Sequence, residues 1–544
     1  MLEFVVVAVA ALVVIAAAAV LAPRLGVAAP LVLVLVGIAV ALAPVLEDFE
    51  VDPEWILQGL LPPLLYASAV SMPAMNFRRE FRAIGGLSVL LVVASALVLG
   101  ALFAWLVPDL GFVWGVALGA IVSPTDAVAT SIIKGTGLPR RAVVILDGES
   151  LLNDATALVL LRTAVVATAA GFSFPAAVGA FAYAIAVAVA VGSVVGWGNL
   201  AVRRRVADPT VNTILSFTVP FAAAVPAELL GSSGLVAAVV AGLVTGFRAP
   251  RALPARHRLS DAQNWASAEL VLEGVVFLGM GLQLSTILGE VHREHTGLGA
   301  AVGIAAGALA VTLLVRAAYV APLLWALRRR ALRGRALQPR IAAIGEHLEA
   351  GRVVPAARRR GSRGRPTEHD LRRFATRVRR SLADIDYLLS QPLGLREGVV
   401  VVWAGMRGAI TVAAAQTLPE DAPHRALLVF VAFAVATLSL LVQGGTVGPL
   451  VRRLFPDRDA RADAPEQDAE RQRIRSLLDD AARGTPRPAG TSDERHRLAV
   501  LTAQRDALLD ARDEGALDAD ALSAALRTVD AEQITLELRS DPTG

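Results

Sequence analysis

Residues 119–133 read GAIVSPTDAVATSII. They belong to an apolar run, 112–133, long enough to cross a bilayer as a helix. Pro124 removes a backbone donor and clashes with the preceding turn, so the helix is expected to break there. Ser123 and Thr125 flank the break, and Asp126 follows it. Freed carbonyls and hydroxyls beside a carboxylate are the oxygen ligands that a hard cation takes. A plain proline kink with a capping Asp is the other reading. A carboxylate at membrane depth is costly to keep, which favours the functional one.

The rest of the chain has the same character. Its 544 residues carry 52 Lys+Arg and 48 Asp+Glu, with a mean hydropathy of +0.58. Segments 328–395 and 452–544 hold 58 of those 100 charges in 161 residues. The remaining 383 residues hold 42. That is about one charge in nine, where a soluble domain carries about one in four. Most of the chain therefore cannot be covered by a solvated surface. A soluble enzyme and a single-pass receptor are excluded. The absence of Cys excludes disulfides, thiolate metal sites and a Cys nucleophile. The net charge of +4 points to no partner, because basic inner loops give the same number; no nucleic-acid partner and no cofactor are expected.

Thirteen spans are expected, at 4–22, 27–46, 55–71, 84–107, 112–133, 142–171, 174–200, 211–228, 231–247, 265–289, 297–327, 396–418 and 425–451. All should be helices, because an open sheet edge is not viable in lipid and no barrel alternation is visible. No basic stretch precedes the first span, so it is not expected to be a cleaved signal. One set of loops carries Arg24; Arg78, Arg79 and Arg82; Lys134, Arg140 and Arg141; Arg203, Arg204 and Arg205; and Arg248, Arg251, Arg256 and Arg258. The alternate set contains only Arg293. The positive-inside rule puts the first set in the cytoplasm, the N-terminus outside and the C-terminus inside.

Two segments fall outside this body. The inner loop 328–395 has 17 Arg and 6 acids and reads as a solvated loop. Its opening, RRRALRGRALQPR, could alternatively lie against anionic headgroups. In the tail, 464–492 contains Pro465, Pro486, Pro488 and Gly490 and reads as a linker. Residues 493–540 have helical periodicity, broken at Gly515 and restarting at Asp518, which predicts a helical hairpin.

The sixth span opens DGESLLNDATALVLL, residues 147–161. Ser150 and Asp154 share one helical face, and Glu149 and Asn153 share the adjacent one. An unpaired carboxylate in so apolar a run favours its protonated form, whereas a bound cation favours the charged one. Asp154 could thus hold either a proton or a metal ion, or could be a structural partner of Arg316 or Arg407. Those two arginines lie in TLLVRAAYV and WAGMRGAITVA. Gly405 and Gly408 around Arg407 suggest a second break or a close helix contact. Arg162 sits near the outer end of its helix and can snorkel. Glu269 reads as a helix end, while Glu273 lies a turn deeper.

The pairing of SPTDAVA in the fifth span with GESLLNDATALVL in the sixth resembles the monovalent cation:proton antiporters of the NhaP/NHE branch. NWASAELVLEGVVFLGMGLQL, TLLVRAAYVAP and WAGMRGAITVAAA are similar to later signatures of the same family, in the same order. The resemblance covers residues 1–451. It implies an all-α polytopic fold of thirteen transmembrane helices. These form two inverted six-helix repeats in which helices 5 and 12 are broken and cross. It further implies a transport core of about 84–171 and 297–451, and a scaffold and dimer surface of about 4–71 and 174–289. Asp154 would be the ion-binding and proton-carrying carboxylate. Thr125, Asp126 and Ser150 would complete a Na+ site. Asn153 fills the position where electrogenic relatives carry a second Asp, which implies exchange of one cation for one proton. Glu149 and Arg316 match the family's buried ion pair, and Arg407 would support the crossing helices. Many relatives place the proline after the Asp of the fifth helix, whereas here Pro124 precedes Thr125.

The resemblance implies a homodimeric, electroneutral Na+/H+ antiporter of the plasma membrane, with Na+, Li+ or K+ and H+ as its cargo. A K+/H+ exchanger would use the same residues. A membrane sensor with vestigial transport is the rival of another class.

Overall fold

The computed structural model of the chain describes residues 2–43, 54–134, 137–170, 174–293, 297–349, 368–456, 464–515 and 517–540. The expected outer loops at 47–53, 171–173 and 294–296, and part of the inner loop, lie outside the described residues. Secondary structure among the described residues is entirely helical.

The chain opens with three apolar helices, α1 (Leu2–Leu21), α2 (Ala29–Ala41) and α3 (Trp55–Ser71). Helix α4 (Ala74–Leu106) starts ten residues before the expected span. Its first turns are amphipathic. Met75, Phe77 and Ile84 face inward, while Arg78 and Arg82 face out. Three basic residues assigned to a loop therefore lie on a helix that runs on into the membrane. The fifth span is two short helices, α5 (Phe112–Val122) and α6 (Val128–Ile133). Helix α5 lies tightly along α4. A Cβ on Gly115 would come within 2.4 Å of the Gly100 carbonyl oxygen, so only glycine permits that approach.

Long helices follow: α7 (Arg140–Ala170), α8 (Phe174–Arg203), α9 (Pro209–Leu229), α10 (Gly234–Ala252), α11 (Ala255–Arg293) and α12 (Leu298–Glu349). The 52 residues of α12 are about 78 Å long at 1.5 Å per residue, far more than the roughly 30 Å hydrocarbon core. Helix α12 must therefore leave the bilayer, taking the start of the expected inner loop with it. Helix α13 (Glu368–Ser390) packs back against it. The described parts of the segment expected as a solvated inner loop are thus largely helical. Arginine is a good helix former, so a basic run does not by itself mark irregular chain.

The twelfth span is again two short helices, α14 (Leu395–Trp403) and α15 (Ala409–Gln416). Helix α16 (Arg425–Leu454) follows, with a π-helical turn at Leu440–Gly444. Among the described residues, eight helices are long and apolar enough to cross a membrane, and four more are apolar but shorter. Helix α16 is 78% buried over its most apolar window and stands at the centre. Helix α8 is 11% buried there and stands at the rim, where its apolar side chains face lipid.

The tail is helical from Ala464: α17 (Ala464–Arg483), α18 (Asp493–Glu514) and α19 (Ala519–Ser540). Residues 464–483 are thus helix where prolines suggested linker. Pro465 falls in the first turn, where its missing N–H costs nothing. Pro486, Pro488 and Gly490 form the connection to α18. Gly515 ends α18 at φ +74°. The Asp518 carboxylate then accepts the N–H groups of Asp520 and Ala521, at 3.1 Å each, to start α19.

Candidate ion site at the meeting of two broken helices

Breaking a helix in a membrane frees backbone groups that no water is there to satisfy. Several of those at the two breaks have identified partners. The Asp126 N–H donates to the Met406 carbonyl at 2.7 Å, so the two broken spans meet backbone to backbone. Arg407, 1% exposed, caps the C-terminal end of α5. It donates to the Val122 carbonyl at 3.0 Å and the Ser123 carbonyl at 3.4 Å. Arg316, also 1% exposed, caps α14 through the Val401 carbonyl at 2.9 Å. A cation at a helix C-terminus meets the negative end of the helix dipole. Each arginine thus stabilises one half-helix from another part of the bundle.

Two further side chains brace the twelfth-span break from α16. The Gln443 amide donates to the Trp403 carbonyl at 2.7 Å. The Ser439 hydroxyl accepts the Arg407 N–H at 2.9 Å and donates to Gln443 Oε1 at 2.5 Å. Both are fully buried. Neither was singled out from the sequence. Their signal was a Ser and a Gln at i,i+4 spacing within an apolar span.

Glycines set the closeness of the crossing. A Cβ on Gly408 would lie 1.5 Å from Asp126 Oδ2. A Cβ on Gly405 would lie 2.6 Å from Arg316 Nε. Both positions are buried among these groups, and a larger residue would have to push them aside.

The carboxylates differ in what they meet. Glu149, 1% exposed, is held by Arg316 through both guanidinium nitrogens, Nη2 to Oε2 at 2.8 Å. It also accepts the Thr125 hydroxyl at 3.3 Å. Asp126 Oδ1 accepts the Val128 N–H at 3.0 Å and caps α6. Asp154, 7% exposed, makes no hydrogen bond or ion pair among the described residues. It lies within electrostatic range of Asp126. The reading of Asp154 as partner of Arg316 or Arg407 is therefore corrected. Arg316 takes Glu149, and Arg407 takes carbonyls.

Asn153 bridges to the fifth-span break. Its amide donates to the Thr125 carbonyl at 3.2 Å and the Thr125 hydroxyl at 2.6 Å. Its own Oδ1 is buried with no donor opposite it. The Ser150 hydroxyl donates to the Asp147 carbonyl on its own helix at 3.1 Å, leaving its oxygen free to accept. Pro124 is buried at the break. Glu273 makes no hydrogen bond or ion pair among the described residues, but lies within electrostatic range of Asp126 and Glu269. Glu269 is not a helix end. It sits mid-helix and accepts the Ser68 hydroxyl at 2.7 Å.

Two charges expected in loops, Arg141 and Arg203, are buried structural groups. Arg141 pairs with Glu80, Nε to Oε1 at 2.6 Å, both side chains 1% exposed. Arg203 holds Asn212 at 2.7 Å and Asp261. Glu80, in NFRREFRAIGG, gave no signal apart from its neighbours' charges.

A bundle of apolar helices whose two broken members meet beside buried carboxylates defines a membrane ion transporter. The chain belongs to the sodium/hydrogen exchanger family, whose transmembrane model matches residues 8–453. An uncharacterised Na+/H+ exchanger of Mycobacterium tuberculosis is 30% identical over 95% of this chain and 93% of its own length. The Na+/H+ antiporter NhaP of Pseudomonas aeruginosa is 27% identical over 74% of this chain and 81% of its own. A sodium, potassium, lithium and rubidium/H+ antiporter of Bacillus subtilis is 28% identical over 49% of this chain and 41% of its own. Among solved structures, a sodium proton antiporter of Methanocaldococcus jannaschii shares the fold. Its TM-score is 0.58 at 14% identity, over 83% of this chain and 99% of that one.

Proposed function

We propose that the chain exchanges one Na+ for one H+ by alternating access, with both competing for Asp154. The observation that carries this reading is the Asp154 carboxylate, buried and unpaired beside the crossing of two broken helices. Oxygen donors for a hard cation are at hand in Asp154, Asp126, Thr125, Ser150 and the free Asn153 Oδ1. Either a proton or a cation neutralises Asp154. An empty, charged Asp154 is costly to carry across the barrier, so the core moves only when loaded. Asn153 brings an amide rather than a second charge, which supports electroneutral exchange.

The wider arrangement is proposed on the same footing. Eight long helices, four shorter ones and the broken α14–α15 pair support thirteen spans, in two inverted repeats. The transport core would be about 84–171 and 297–451. The scaffold and dimer surface would be about 4–71 and 174–289. The loop charges support an outside N-terminus and a cytoplasmic tail in the plasma membrane.

The test is dissipation of an imposed pH gradient in inverted vesicles on adding Na+, Li+ or K+. Na+ should collapse the gradient, with an apparent KM that rises as pH falls. Asp154→Asn should be inactive. Silence toward every cation, or full activity of Asp154→Asn, would sink the mechanism. Steep dependence of turnover on membrane potential would overturn one-for-one exchange. The broad cation range in the name of the Bacillus subtilis relative makes K+ the second ion to test.

A further inference from the structure

Where α4, α12 and α13 meet, a cavity of about 280 Å³ is lined by Arg78, Arg79, Arg330, Arg380, Asp384 and Leu388. Four guanidiniums therefore surround one carboxylate. Arg78 and Arg79 share Asp384 Oδ1, at 3.4 and 2.8 Å. Arg79 also lies over the Tyr387 ring, 4.7 Å from its centroid, and donates to the Gly515 carbonyl at 2.7 Å. Arg380 Nε donates to the Asp513 carbonyl at 2.8 Å. Arg330 is exposed and has no partner among the described residues.

Asp384 offsets only one of the four charges. Three positive charges remain in one concave, partly walled space, where they repel one another more strongly than in open water. Such an arrangement selects a multivalent anion. Guanidinium forks present paired N–H donors, which match the oxygens of a phosphate group. The cavity also stands at a particular height. Trp325 on α12 is 56% exposed, and the Arg329 guanidinium lies 3.7 Å from its ring centroid. An exposed Trp with a stacked Arg where the apolar stretch of a helix ends marks the level of the lipid headgroups. Arg330 follows directly.

We propose that this cavity binds a phosphate-bearing anion, separately from the transported ions. The source is a phosphorylated solute or the headgroup of an anionic lipid. The occupant would tie α4 to the α12–α13 pair and to the tail turn at Gly515, because Arg79 touches all of these except α12 directly, and Arg330 supplies α12.

The experiment uses the full-length chain, delipidated in detergent. One arm titrates inorganic pyrophosphate by calorimetry at low salt. The other measures thermal unfolding in nanodiscs of phosphatidylcholine with and without cardiolipin. Saturable pyrophosphate binding, weakened at least tenfold in Arg78→Gln/Arg330→Gln, assigns a solute. Stabilisation by cardiolipin that is lost in the same variant, with no pyrophosphate response, assigns a lipid. Both altered side chains are exposed, and Arg79 still holds Asp384, so the variant should fold. The single Arg330→Gln, which has no described partner to lose, should show a partial loss. Arg329→Gln, outside the cavity, should behave as the parent. If neither probe separates the parent from the double variant, or if Arg329→Gln loses as much, the site is overturned.

Discussion

Asp154 and Asn153 are neighbours in the chain, yet one is unpaired and the other is fastened to Thr125. Glu149, one turn earlier, is committed to Arg316. This division of roles has an energetic consequence. A buried ion pair adds little over an apolar pair, but breaking it strands a charge, at about 3–5 kcal/mol. Glu149→Gln should therefore lower the melting temperature markedly in detergent. Glu149→Leu/Arg316→Met should recover only part of the loss, because the Val401 carbonyl still loses its donor, at about 1–3 kcal/mol. A double variant no more stable than the single one would contradict the pairing. The residues of the proposed site were readable from sequence because charge is rare in these spans. Their pairings were not legible in charge and spacing, because three acids face two arginines; only the family resemblance matched Glu149 to Arg316.

At the scale of elements, Pro124 announced the break in the fifth span, and the glycines around Arg407 announced the second. What holds both breaks is distant in sequence: Arg407 caps α5, Arg316 caps α14, and Ser439 with Gln443 braces the break at Trp403. The closeness is absolute at Gly408, where a methyl group would overlap the Asp126 carboxylate. Gly408→Ala should insert and fold but transport at less than about a tenth of the parental rate. Overpacking of this kind typically costs about 1–3 kcal/mol, and here it also separates the two broken spans. Undiminished transport by Gly408→Ala in the vesicle assay would show that the two breaks need not touch. Farther out, Asp208 caps α9 by accepting the N–H groups of Val211 at 2.9 Å and Thr210 at 2.7 Å. These bonds hold its carboxyl below the usual range. A depressed carboxyl contributes stability above its unfolded value, about 3.9. That stability is lost as pH falls through the folded value. Asp208→Ala should thus melt lower than the parent near neutral pH, and the gap should close on acidification below about pH 4. A pH-independent gap would rule out the charged cap.

Across the whole molecule, the loop charges from which an orientation is read also make contacts of their own. Arg251 reaches Asp510 and Asp513 at 2.8 Å each, Arg140 reaches Asp518 at 2.7 Å, and Arg379 reaches Glu514 at 2.7 Å. Arg258 and Asp530 are paired with side chains only 12% and 7% exposed. The acidic tail helices α18 and α19 thus lie on the basic face of the membrane body. Most of these pairs are solvent-accessible and contribute about 0–1 kcal/mol each. Raising salt from about 0.1 M to about 1 M shortens the Debye length from about 10 to about 3 Å. Amide exchange across Asp493–Ser540 should accelerate accordingly. Arg258→Gln should accelerate it at low salt too, whereas Arg251→Gln should change little. Exchange indifferent to both salt and Arg258→Gln would mean that the apolar contacts of the tail, not these pairs, hold it.

The sequence by itself determined the class. Apolar runs of membrane length force helices, because lipid satisfies no backbone group. Proline and glycine fix where helices stop, and the loop arginines carry a topology. These are local properties, legible in windows of about twenty residues. Only the tertiary structure decided which buried charges are neutralised and which is left over. Arg141 and Arg203 read as loop charges, yet they are among the most buried side chains. Glu80, indistinguishable in sequence from a surface acid, is the partner of one of them. Partner choice depends on which helices cross. Those crossings join residues such as Val122 and Arg407, 285 positions apart. The unpaired state of Asp154 is a product of the same geometry. Of the two buried arginines weighed as its partners, Arg316 is held by Glu149 and Arg407 by backbone carbonyls.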